Sequence, residues 1–106
     1  MPITLINYAS GEVVIEAGDG QSVRLPRERA NRMVMHARMH AAAEFAEALP
    51  TFIEDSAICD ALRTRYGALA TSTERWNFKE AFARLHTLTK EAPAGDPAVV
   101  VESVPL

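Results

Sequence analysis

ITLINYASGEVVIEAGDGQSVRL, residues 3–25, decides the fold class of this chain. Ile3 to Tyr8 and Val13 to Ala17 are β-rich runs, and the Ala9, Ser10 and Gly11 between them carry a Ser-Gly turn signal. The pair therefore reads as a hairpin. Gly18-Asp19-Gly20 is a second tight turn, and Ser22 to Leu25 reads either as a short third strand or as the lead-in to a helix. Two or three strands cannot stand alone in water and must pack on something.

The rest of the chain supplies helices. Pro26 opens the first of them, at a favoured first-turn position for proline. It is expected to run over residues 26–49, before Pro50 interrupts it. Its core face is Val34, Ala37, Ala41, Phe45 and Ala48, and Met33, Met35 and Met39 widen the apolar arc to both sides. Only Arg29, Arg32, His36, His40, Glu44 and Glu47 keep a polar stripe, so this helix is expected at the centre of the fold. A second helix is expected over residues 55–70, with Ile58, Leu62, Tyr66 and Leu69 apolar and Gly67 weakening its last turn. A third is expected over residues 71–91, opened by a Thr71–Glu74 capping box. Its apolar face is Phe78, Ala81, Phe82, Leu85 and Leu88.

The expected architecture is α+β, mainly α: an N-terminal β-hairpin, with a third short strand left open, followed by three helices around a long central first one. Residues 1–92 form a single globular domain. Residues 93–106, rich in Pro, Gly, Ala and Asp, form either a tail or, through Val99, Val100 and Val101, an edge strand on the hairpin.

Composition narrows the function classes. With 48% hydrophobic and 24% charged residues the balance is that of a soluble globular chain, and a net charge of −3 argues against a general basic coat for nucleic acid. The charges lie in blocks. Residues 24–40 hold five Arg against Glu28, and residues 63–90 hold six bases against Glu74 and Glu80, while residues 44–60 are acidic. Such blocks either form separate patches that bind a polyanion locally or neutralise one another between packed helices. The lone Cys59 excludes an intrachain disulfide and lies in an apolar context that suits a small core residue. No signal peptide is expected, because the N-terminus lacks a basic region followed by an apolar run. No apolar stretch approaches the ~20 residues that span a bilayer.

Catalytic signals are poor. No serine stands in a nucleophile-elbow context, no Walker loop or dinucleotide fingerprint appears, and the adjacent Glu54 and Asp55 suit a solvated helix start. The expectation is a protein that is not an enzyme and needs no cofactor. His36, His40 and Glu44, four residues apart in turn, offer a metal-ligand spacing, but on one straight helix they converge poorly. Their plainer reading is a polar face whose basic end is Arg29, Arg32, His36 and His40; a separate reading has those four line phosphates, with the histidines strengthening binding as pH falls.

Trp76 is the sharper feature. On a helical wheel it falls roughly 160° from Phe78. It sits on the polar side with Arg75, Lys79, Ala83, His86 and Lys90. A large aromatic in a basic stripe is how single-stranded nucleic acid is held, with cations on phosphates and a ring under a base. Arg63 and Arg65 on the preceding helix extend the positive surface, and Arg29 and Arg32 are further candidates. Two other readings stay open: a protein–protein anchor, since Trp and Arg dominate such sites, and a side chain folded back onto a preceding loop or the hairpin. A helix-turn-helix repressor fits less well, because the joint from Ala68 to Ser72 lacks a tight glycine turn.

In size and organisation, with the short hairpin, compact helices, mixed charge blocks and no enzyme motif, the chain resembles the small phage-borne anti-CRISPR proteins, in particular inhibitors of type I-E interference. The resemblance covers the whole chain and rests on no shared motif. It implies stoichiometric blockade in the cytoplasm of a bacterial host cell, by mimicry of nucleic acid, occlusion of a guide or target channel, or prevention of helicase-nuclease recruitment. The residues favour binding the single-stranded DNA of the R-loop, with or without contacts to the CRISPR surveillance complex, and no membrane is involved. A DNA mimic would be strongly acidic, which this chain is not; Arg75, Trp76 and Lys79 suit the single strand. The alternative is a non-enzymatic protein–protein adaptor or accessory phage protein, with the methionines and Trp76 as an adaptable contact surface.

Overall fold

A computed structural model describes residues 3–18, 20–87 and 98–104. β1 (Ile3–Tyr8), β2 (Val13–Ala17) and β3 (Ser22–Leu25) form an antiparallel meander. Both turns follow one plan. Gly11 and Gly20 have φ of 89° and 90°, where other residues are strained. Tyr8 closes on Glu12, and Ala17 on Gln21, by backbone hydrogen bonds of 2.9 and 2.8 Å. β4 (Ala98–Ser103) pairs antiparallel with the free side of β1, which gives the order β3-β2-β1-β4.

The sheet has two unlike faces. Leu5 lies opposite Ile15, Ile15 opposite Val23, and Val13 opposite Leu25. With Ile3 these residues make the sheet's share of the core. On the other face Arg24 reaches Tyr8, its guanidinium carbon 5.1 Å from the ring centroid, and pairs with Glu12 at 3.3 Å. The third strand left open by the sequence is present.

The fold is α+β and mainly α, but the described residues hold four helices, not three: α1 (Arg27–Met39), α2 (Ala42–Phe52), α3 (Ser56–Gly67) and α4 (Ser72–Ala83). The long first helix is broken. His40 and Ala41 are extended, with ψ of 161° and 159°. No glycine or proline marks the break; packing makes it. A straight rod would carry Phe45, Leu49 and Phe52 away from the core that Met33, Val34 and Ala37 enter. The break turns them back, and all six are buried. Burial contributes about 1.5–3 kcal/mol for each large side chain, while each backbone hydrogen bond given up at the break costs about 0.5–1.5 kcal/mol net. Ala41, expected in the core, is exposed as a result, and Ala48 is half-buried. Pro50 does not end the helix either; α2 continues through it to Phe52.

α3 and α4 are shorter than expected. Asp55 caps α3, its side chain accepting from the Ile58 amide at 3.0 Å. The Thr71–Glu74 box opens α4: the threonine hydroxyl accepts from the Glu74 amide, and the carboxylate from the Thr71 amide, both at 3.1 Å. α4 stops at Ala83 because long-range partners take over its end. The Arg38 guanidinium donates to the carbonyls of Ala83 (2.9 Å) and Leu85 (2.6 Å). A cation there also complements the helix dipole. The fully buried Asn7 accepts from the His86 amide through its side-chain oxygen and donates to the Glu12 carbonyl at 3.3 Å. The chain leaving α4 is thus bound to the first hairpin. Leu88, expected on the third helix, lies outside the described residues.

Candidate interaction surface around Trp76

Trp76 lies in the first half of α4, near the Thr71–Glu74 box. The wheel that buries Phe78, Ala81, Phe82 and Leu85 leaves Trp76 on the outside, 53% exposed. Among the described residues it is one of three large hydrophobic residues left exposed, with Met35 (42%) and Met39 (72%). Met33 alone of that methionine group fills the core.

The cations expected around Trp76 divide. Lys79, expected on the polar stripe, is only 9% exposed. Its ammonium sits over the Trp76 ring, 5.9 Å from the centroid, and pairs with Glu80 at 3.5 Å. Arg75 is half-buried and donates to the Leu69 carbonyl at 3.1 Å, bracing the joint between α3 and α4. His86 is exposed, although its backbone is tied to Asn7. Lys90 lies outside the described residues.

The remaining candidates sit on other helices. Arg63 is exposed on α3, and Arg65, two residues on and so on roughly the opposite side of the helix, is half-buried. Arg29 pairs with Glu54 at 3.4 Å and so ties α1 to the α2–α3 connection. Arg32 is exposed, and with Arg27 and Arg29 it lines a shallow concavity of about 290 Å³ beside Pro26.

His36, His40 and Glu44 come together in spite of the helix break. The two imidazoles stack with centroids 4.0 Å apart, and His40 Nδ1 lies 2.9 Å from Glu44 Oε2. His36 meets Phe52 edge-on at 5.6 Å, and its Nδ1 is buried. Burial first, and the neighbouring His40 second, hold its pKa below the ordinary imidazole value, against a smaller opposing pull from Glu44. Among the described residues no group of three His, Cys, Asp or Glu is placed to hold a metal ion. Cys59 is buried, and burial pushes its thiol pKa up, which disfavours the nucleophilic thiolate. No helix among the described residues is long and apolar enough to cross a membrane.

Sequence reasoning passed over Arg38 and Asn7, whose partners are some 45 and 79 residues distant. It also missed a groove between α2 and α3, because that groove exists only once α2 has folded back. The chain matches no family model, no curated protein and no solved structure.

Proposed function

We propose that this protein acts by stoichiometric binding, as an inhibitor of type I-E CRISPR interference that engages the single-stranded DNA of the R-loop, with Trp76 at the centre of the contact. The half-exposed indole on a capped helix is the observation that carries this reading. The capping box and the Lys79 ammonium hold the ring in place before a ligand arrives, so little ordering entropy remains to be lost on binding. A stacked base contributes about 1–3 kcal/mol. Exposed cations such as Arg32 and Arg63 supply the phosphate contacts.

A second reading has its own support. Arg75 and Lys79 are already engaged within the fold, which leaves fewer cations beside the ring for phosphate. With Met35 and Met39 also exposed, Trp76 then serves as an anchor for the surveillance complex or another protein partner.

Salt separates the two. Trp76 is the only tryptophan, so its fluorescence reports the site directly. On titration with a single-stranded oligonucleotide we expect saturable quenching that weakens steeply with salt and is small with duplex. Trp76→Ala, checked for helix content by circular dichroism, should lose both the binding and the inhibition of interference. Unchanged fluorescence at low salt, with inhibition still lost in Trp76→Ala, would reject the DNA reading and support the protein one.

A further inference from the structure

The open groove between α2 and α3 has a volume of about 560 Å³, within the range of small-ligand sites. Ala43 and Ala46, one turn apart on α2, keep its α2 wall low, and Tyr66 supplies an aromatic wall. Its charges come from both helices: Glu47 from α2, Asp60 and Arg63 from α3. All three are exposed, and among the described residues none of their side chains makes an ion pair or hydrogen bond. Two carboxylates and a guanidinium thus share one concavity without neutralising each other.

We propose that this groove is a binding site for a small zwitterion of the basic amino acid class. The ligand's guanidinium or ammonium lies between Glu47 and Asp60, against the Tyr66 ring, and its carboxylate pairs with Arg63. A guanidinium matches this site because it donates to carboxylates in a planar fork and stacks on aromatic faces. The alanines leave room for the methylene stem. Arg63 apart, the site uses different residues from the Trp76 surface, and it stands whether or not that surface binds DNA.

The test is a titration of the 15N-labelled protein with L-arginine, with agmatine, which lacks the carboxylate, and with propionate, which lacks the cation. L-Arginine should shift the amides of Ala43, Glu47, Asp60 and Arg63 saturably, and propionate should not. Each partly solvated charge pair is worth up to about 1 kcal/mol, or about fivefold in affinity. Agmatine should therefore bind about fivefold more weakly than L-arginine. Arg63→Gln should lower L-arginine affinity to the agmatine level and leave agmatine unaffected. The double variant Glu47→Gln, Asp60→Asn should lose both ligands; its exposed positions let it fold, which circular dichroism checks. Absence of saturable shifts with L-arginine, shifts centred on Trp76 instead, or undiminished binding by the double variant would each overturn the proposal.

Discussion

Two helix joints in this protein are built on opposite principles. The α3–α4 joint is written in adjacent residues: Thr71 and Glu74 exchange hydrogen bonds across one turn, and Arg75 reaches back to the Leu69 carbonyl. The α1–α2 joint has no side-chain cap on either side, because its N-cap residue is Ala41 and α1 ends on an extended His40. Its bend is held from a distance by Phe45 against Phe82, with centroids 4.9 Å apart, and by the stacked histidines at its surface. A joint capped locally keeps its geometry when the core is disturbed. A joint bent by packing depends on the core it serves.

The largest expected effect breaks the second joint. Phe45→Ala opens a cavity beneath the bend and should cost about 3–5 kcal/mol, measured by urea denaturation. A loss below 1 kcal/mol would mean that local sequence, not burial, sets the bend. Thr71→Ala removes the box at the first joint and should cost about 1 kcal/mol. Combined with Phe45→Ala its effect should add, since the joints hold independently; strong coupling would erase the contrast.

The smallest effect is a pH slope at the α1–α2 joint. His36 has a lower pKa folded than unfolded, so the unfolded chain takes up its proton first as pH falls. The contribution is complete above the ordinary value of ~6.5. It is lost as pH drops below that and levels off beneath the depressed folded value. Thermal melts across this window should slope downward toward acid in the wild type and less so in His36→Gln. Equal slopes would remove His36 from the account of the joint.

The same contrast governs what could be read in advance. The hairpin turns at Gly11 and Gly20 and the Thr71–Glu74 box follow from residues within a few positions of one another, and each was legible; the wheel put Trp76 on the polar side but left open whether its ring folds back or stays exposed. The break at His40 was not, because Ala41, Ala42 and Ala43 favour helix and only the position of a distant core argues otherwise. The end of α4 depends on Arg38 and Asn7, which no helical wheel contains. Lys79 was misplaced for a similar reason: its angle lies at the edge of the buried face, and a long apolar stem lets the residue sink while its ammonium finds Trp76 and Glu80. Around Trp76, then, the ring's place on the polar side of the wheel was legible, and its exposure and the state of the neighbouring cations were not.

The strand order has a consequence in time. β1 is central, yet its second neighbour lies far along the chain: Tyr8 pairs with Ala98, a separation of about 90 residues that raises contact order and slows closure. During synthesis β1 and β2 emerge together and can pair at once. The other edge of β1 then stays bare while α1 to α4 are made, and a bare edge is a template for foreign strands. The nascent chain is therefore most open to mispairing at β1 just before β4 appears.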